Sequence, residues 1–303
     1  MKILILGGSG QLGTEFLSLK KGSNFEFLAP SSKDLDITNL KKIKSFIKNN
    51  KPDLVINFSA YTNVDEAENE TKEALKLNYL SLRGLIVALN LNTIPLIHIS
   101  TDYVFGKYGK GPYKVKDRTG AINKYGYSKL LGENEIINFS KKAIIIRTAS
   151  LYGEFGNNFL KTFVNILHSK KEINVISDQA VSLTWSFDLS MAIIKLLNLI
   201  SLPNNWLKRD GVDIIHLVNT GYSSWFEASE VIADVINNMI PNDFPVKVNP
   251  ILSKDWPSKV KRPSDSRLLS DGSIDDLGVI SMPEWKKSLK ACTISYLERK
   301  AND

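Results

Sequence analysis

The chain has 303 residues, 43% hydrophobic and 23% charged, enough for a large core and one or two domains. Its net charge of +7 raises nucleic-acid binding, but the lysines are scattered, as in Lys41, Lys42, Lys44, Lys48 and Lys51, with few aromatics to stack on bases. A generally basic surface that favours polyanionic small molecules is expected, and no nucleic-acid partner. The single cysteine, Cys292, excludes an internal disulfide and fits a reducing compartment. The apolar start, residues 1–6, is too short for a signal-peptide core, and no uninterrupted apolar run approaches the roughly 18 residues of a membrane span. A cytoplasmic protein without a membrane partner is expected.

In chain order, "KILIL" (2–6), "FEFLA" (25–29), "DLVINFS" (53–59), "PLIHIS" (95–100) and "AIIIRT" (143–148) read as strands. Helical patterns lie between them at 10–20, 39–49, 73–91 and 125–138, with apolar residues every three or four positions. Strands alternating with helices predict βαβ units and a parallel sheet, and near-continuous apolar strands fit a sheet covered on both faces. Past residue 152 the rhythm is less regular. Helices are expected at 157–167, 188–200, 224–240 and 284–299, strands at 173–177 and 213–219, and a loop at 201–211. The expected division is 1–152, rejoined by segments near 186–221, and a smaller α/β unit at 153–303.

The run "GGSGQLG" places Gly7, Gly10 and Gly13 three apart, after the first strand and opening a helix. Gly7 permits a tight turn, Gly10 lets a pyrophosphate approach the backbone, and Gly13 allows close packing of helix on strand. Free amides at the helix N-terminus suit the phosphates. The context is that of a dinucleotide site in a Rossmann-type, doubly wound sheet. In "KYGYSKLLGE" (124–133), Tyr125 and Lys129 are four apart and share one helix face.

The spacing Gly-x-x-Gly-x-x-Gly resembles the short-chain dehydrogenase/reductase superfamily. That superfamily expects a Ser or Thr at the end of the fourth strand and a later Tyr-x-x-x-Lys pair, which Thr101, Tyr125 and Lys129 match. The implied chemistry is transfer of a hydride to a carbonyl, with Tyr125 as the general acid. Lys129 would lower the phenol pKa and bond the nicotinamide ribose, and Thr101 would hold the carbonyl oxygen.

The likeness extends further. "FSAYTNVDEAE" (58–68), "STDYVFG" (100–106), "YGYSKLLGE" (125–133), "RTASLYGEFGNNFLKTF" (147–163) and "RPSDSRL" (262–268) resemble the dTDP-4-dehydrorhamnose reductases over nearly the whole chain. The resemblance implies NADPH-dependent reduction of a nucleotide-linked 4-keto-6-deoxy sugar for surface polysaccharide, and leaves a homodimer open. Gln11, Leu12, Ser59, Ala60, Tyr61 and Ser100 would lie along the cofactor, with Asp36 and Ile37 at the adenine. Thr62, Val64, Asp102, Tyr103, Ser150 and Asn158 would meet the sugar nucleotide, and Arg262 its diphosphate, where a guanidinium fork suits a bidentate role. The chain departs from the family at Ser150, where a tryptophan is usual, and at Val181 and Leu183, where glycine and proline are usual. These departures point to a changed sugar. Just after the second strand the chain reads Pro30, Ser31, Ser32, Lys33, with no acid to repel a 2′-phosphate, so NADPH is preferred and NADH tolerated.

Blander readings stand beside these. Asn157 and Asn158 also suit a helix cap. His98, inside an apolar strand, is expected to be a core residue, and Trp185, Trp206, Trp225, Trp256 and Trp285 packing residues, although one or two could stack on a base. His168 and His216 are unclustered, and Glu15 alone is too little to predict a metal, so none is expected. Two rival functions remain. One is a sugar-nucleotide epimerase or another reductase of the superfamily; a dehydratase is disfavoured because Tyr103 stands where its glutamate base belongs. The other is a non-catalytic dinucleotide-binding subunit like the beta subunit of methionine adenosyltransferase.

Overall fold

Runs such as Ile3-Leu4-Ile5 and Ile144-Ile145-Ile146 alternate between two cores rather than between core and water. Ile3, Ile5, Ile144 and Ile146 belong to one buried cluster, and Leu4 and Ile145 to another. In the computed structural model, which describes residues 1–20, 24–169, 172–202, 210–240, 245–258, 260–270, 273–274 and 278–302, these runs form a parallel sheet. Its strands are β1 (Lys2–Leu6), β2 (Glu26–Leu28), β3 (Leu54–Asn57), β4 (Leu96–Thr101) and β5 (Lys142–Thr148). The spatial order is β2-β1-β3-β4-β5, followed by the strand Gly211–His216, which pairs parallel with β5. The order reverses between β1 and β3, and ligands of such sheets sit beyond the strand C-termini at that crevice.

Helices α1 (Gln11–Ser18), α2 (Leu40–Asn50), α3 (Thr71–Leu75), α4 (Ser81–Asn92) and α5 (Lys124–Phe139) connect these strands. They are followed by α6 (Phe159–Ser169), α7 (Ser186–Ile200), α8 (Trp225–Met239) and α9 (Trp285–Asn302). Leu12 and Phe16 of α1 and Leu189, Ile193 and Leu196 of α7 cover one face of the sheet. Ile43 and Ile47 of α2, Leu82 and Leu85 of α4, and Ile136 of α5 cover the other. A third cluster joins Leu160 and Phe163 of α6, Ile232 and Ile236 of α8, and Leu289 of α9. Beside it, the strands Glu172–Ile176 and Lys247–Ile251 pair in parallel.

Two differences from the sequence reading affect the site. The helix expected at 73–91 is interrupted by a π-helical turn, Lys76–Leu80, between α3 and α4. Such turns often mark functional positions. Here the turn carries the buried Asn78, whose side chain bonds the backbone of Tyr61 and the hydroxyl of Ser128. α5 packs so closely on this turn that a Cβ at Gly132 would overlap the Asn78 carbonyl oxygen. The strand Lys247–Ile251 is unannounced in sequence, because "KVNPI" carries lysine, asparagine and proline. Most of the expected loop at 201–211, with Trp206, lies outside the described residues.

Candidate active site

The glycine loop leaves β1 with Gly7 at φ +77°, where an L side chain is strained. A Cβ there would stand 2.5 Å from the Ser59 amide nitrogen, and one at Gly13 would overlap the Gly7 carbonyl oxygen. The loop is therefore wedged between the start of α1 and the segment after β3. Gly10 is the N-cap of α1, without a side-chain cap and with no acid in the first turn. A Cβ at Gly10 would meet nothing closer than 3.4 Å, so that side has room. Leu12 is buried, while the side-chain nitrogen Nε2 of the neighbouring Gln11 is buried without a hydrogen-bond partner among the described residues. An open cradle, free helix amides and an orphaned donor fit a bound dinucleotide phosphate.

Around this cradle the expected residues take mixed positions. Ser59, Ala60 and Tyr61 follow β3, with the Ser59 amide donating to Asn57 Oδ1 at 2.9 Å and the Tyr61 amide to Asn78 Oδ1 at 2.8 Å. The Tyr61 hydroxyl turns away to Glu70 Oε2 at 2.7 Å, a bond that helps push its pKa up to about 12. Ser100 is buried, and its hydroxyl has no partner among the described residues. Asp36 is exposed and its carboxylate is taken by the Thr38 amide and hydroxyl, which hold its pKa below the usual range. Ile37 is a core residue. Ser31, Ser32 and Lys33 are exposed at the end of β2, and Ser31 bonds Asp34.

At the C-terminal end of β4, the side chains of Thr101 and Tyr125 come together, and Thr101 acts to lower the phenol pKa against the effect of burial. Thr101 also donates to Asp102 Oδ1 at 2.9 Å and accepts from the Tyr103 amide. The rings of Tyr103 and Tyr125 meet edge to face, 5.8 Å apart. Burial pushes the Tyr125 phenol above its ordinary value, and it pushes Asp102 up to about 6. The expectation that Lys129 lowers the tyrosine pKa therefore fails in this arrangement. The Lys129 amine is turned instead to the Ile99 carbonyl at 2.7 Å and to His98 Nε2 at 3.1 Å. Lys129 is only 2% exposed, and burial pulls its pKa down to about 8, with Glu133 acting the other way. His98 is a core residue, as its strand suggests, but with polar partners on both ring nitrogens. One turn on along α5, Glu133 forms a buried two-pronged pair with Arg147 of β5, at 2.9 and 2.7 Å.

Beside this cluster lies a cavity of about 770 Å³ walled by Phe159, Phe163, Trp225 and Trp256, with Tyr103, Gln179 and Arg262 among its polar lining. Trp225 and Trp256 thus face open space, whereas Trp285 is buried and Trp185 packs on Phe187. Arg262 donates from the single nitrogen Nη2 to both carboxylate oxygens of Asp65, each at 2.9 Å, and from Nη1 to Ser258 Oγ. Thr62 is exposed and Val64 half-buried on the loop that leads to Asp65. Asn158 takes the capping role: its Oδ1 accepts from the Lys161 amide at the start of α6, and its Nδ2 donates to the Gly153 and Phe155 carbonyls. Ser150 sits at φ +41° just past β5 and does not line the cavity. The reading of Val181 and Leu183 as substrate-side positions is corrected, because both are buried in the third cluster.

Sequence reasoning passed over Asn57, Asn78 and Gln179. The signal was there for Asn57, a polar residue within the apolar run of β3, which the structure buries completely.

Known proteins resemble this chain over nearly its whole length. A family model described as the RmlD substrate binding domain matches residues 1–297. The dTDP-4-dehydrorhamnose reductase of Aggregatibacter actinomycetemcomitans is 33% identical over 95% of this chain and 97% of its own. The crystal structure of a dTDP-4-dehydrorhamnose reductase from Clostridium acetobutylicum superposes with a TM-score of 0.86 at 34% identity, covering 98% of this chain and 100% of the other. That of the Bacillus anthracis reductase in complex with NADP gives 0.86 at 32%, covering 97% and 99%. Among the described residues no helix is long and apolar enough to cross a membrane. With its match running from β1 into α9, the chain belongs to the RmlD substrate binding domain family.

Proposed function

We propose that the protein is an NADPH-dependent reductase of a nucleotide-linked 4-keto-6-deoxy sugar, dTDP-4-dehydrorhamnose first among them, serving polysaccharide synthesis. The observation that carries this is the Thr101–Tyr125 pair at the end of β4, next to Tyr103, which lines the aromatic cavity. The relatives named as dTDP-4-dehydrorhamnose reductases, one of them holding NADP, supply the substrate and cofactor class. Exposed Ser31, Ser32 and Lys33 at the end of β2 favour NADPH over NADH.

The bound dinucleotide would lie against Gly7, Gly10 and Ser59 and supply the hydride. Tyr125 supplies the proton. Its raised pKa keeps the phenol protonated at neutral pH, and an alkoxide formed on the sugar is basic enough to take that proton. Thr101 orients the reacting oxygen, which requires its hydroxyl proton to turn from Asp102 towards the substrate. Lys129, when charged, stabilises the phenolate left behind. Arg262 takes the diphosphate by exchanging Asp65 for phosphate oxygens. In this reading residues 1–152 with 186–221 carry the cofactor and the remainder of 153–303 carries the sugar nucleotide. Buried, unpaired Cys292 fits the reducing cytoplasm that such a reaction implies.

The test is cofactor oxidation on a panel of dTDP-, UDP-, GDP- and CDP-linked 4-keto sugars, with NADPH and NADH compared on the best substrate. Turnover of none of them would overturn the reading. Equal or better use of NADH would overturn the cofactor preference.

A further inference from the structure

Lys129 Nζ faces a ring nitrogen, and a chain of donors decides which of the two carries the proton. The Ser59 backbone N–H can only donate, and it points at Asn57 Oδ1 at 2.9 Å. That fixes the Asn57 amide, and its Nδ2 faces His98 Nδ1 at 3.2 Å. An amide nitrogen has no lone pair to offer, so His98 Nδ1 accepts. A neutral imidazole with Nδ1 accepting carries its proton on Nε2. Burial keeps His98 neutral, its pKa well below the ordinary value. The Nε2–H therefore points at Lys129 Nζ, 3.1 Å away. An ammonium cannot accept that proton, whereas an uncharged amine accepts it and still donates to the Ile99 carbonyl at 2.7 Å.

We propose that Asn57 and His98 are positioning residues that set the charge of Lys129: the donor chain from Ser59 through Asn57 and His98 favours the uncharged amine. Phenolate stabilisation at Tyr125 then depends on proton uptake by Lys129, a step that rests on the functional reading above, while the tautomer does not. The other groups around Lys129 leave this bias in place. Glu133, on the same helix, favours the ammonium but is paired with Arg147 of β5, and Tyr125, one turn earlier, is neutral. Burial by itself already lowers the Lys129 pKa to about 8, and the donor chain acts in the same direction.

The experiment has two arms on the full chain. The first is a long-range ¹⁵N–¹H correlation spectrum of the cofactor-free protein, which has three histidines, with His98 identified by its loss in His98→Phe. The Nε2–H tautomer is expected in the wild type and the Nδ1–H tautomer in Asn57→Asp, where the new carboxylate accepts from Nδ1. The second is the pH profile of kcat/KM, which reports groups of the free enzyme. Activity should fall as pH rises through the Lys129 midpoint, and in Asn57→Asp that limb should move up by about one to two pH units, as an ammonium bonded to Nε2 resists deprotonation. A wild-type Nδ1–H tautomer overturns the proposal even if the variant fails to fold. So does a limb that stays in place when the tautomer has switched.

Discussion

The two sides of this site are built from different material. The cofactor side is backbone: Gly7 and Gly13 bring the loop, α1 and the segment after β3 so close that side chains are excluded, and the helix start presents its amides without a side-chain cap. The cavity side is side chain: Phe159, Phe163, Trp225 and Trp256 wall a space into which Arg262 is aimed, and Asp65 already holds that arginine. Backbone sites depend on local chain geometry and tolerate no added carbon. Side-chain sites depend on which residues the fold brings together, and they absorb substitution by repacking. Thr101 and Tyr125 adjoin the second side through Tyr103, whose ring meets Tyr125 and lines the cavity.

The largest expected effect separates chemistry from both sides. Tyr125→Phe should lose about 10²–10⁴-fold in turnover, the typical worth of general acid catalysis. Dissociation constants for NADPH and for the sugar nucleotide, measured by titration calorimetry, should stay near wild type. Turnover within about threefold of wild type would remove Tyr125 as the acid.

Gly13→Ala should damage the cofactor side alone. The added Cβ overlaps the Gly7 carbonyl oxygen, and overpacking of this kind costs about 1–3 kcal/mol, so NADPH binding should weaken about ten- to hundredfold. Fluorescence titration with NADPH measures it. Unchanged affinity would mean that the loop opens freely and the contrast drawn above is wrong.

Trp225→Ala tests the aromatic wall. A stacked ring contributes about 0.5–1.5 kcal/mol beyond its area, so the KM for the sugar nucleotide should rise by up to about tenfold while NADPH affinity holds. An equal effect on both ligands would show that the cavity is not a separate subsite.

The smallest effect sharpens the role of Arg262. Its partner Asp65 is mostly exposed, and exposed pairs are worth about 0–1 kcal/mol. Asp65→Asn should free the fork and lower the KM for the diphosphate substrate by up to about fivefold. A raised KM would show that Asp65 itself contacts the sugar nucleotide.

Much of the first side was legible in sequence. The glycine spacing, the strand before it and the helix after it are consecutive residues, and all five leading strands lie within two residues of their expected ends. Tyr125 and Lys129 were legible as a pair because helix geometry alone puts them on one face. What they bond to was not. Lys129 reaches back to β4, some thirty residues earlier, and meets His98 and the Ile99 carbonyl rather than the phenol. The π-helical turn was hidden as well, since "KLNYL" has the periodicity of the helices on either side. Only the packing of Gly132 against Asn78 shows why the backbone must widen there.

By itself, then, the sequence determined whatever neighbours along the chain decide: the alternation of strands and helices, the tight glycine turn and the shared helix face of Tyr125 and Lys129. These follow from local sterics and hydrophobic period, which act over a few residues. The tertiary structure decided the rest. It buried Val181 and Leu183, which sequence reading had placed beside the sugar, and turned Asn158 into a helix cap. It joined the strands Glu172–Ile176 and Lys247–Ile251 across the intervening chain and set Arg262 on Asp65. It also laid the line of donors from Ser59 to Lys129 across β3, β4 and α5. The physical reason is common to all of these. A buried polar group or a cavity wall is defined by its partners, and partners far apart in sequence are chosen only when the chain closes on itself.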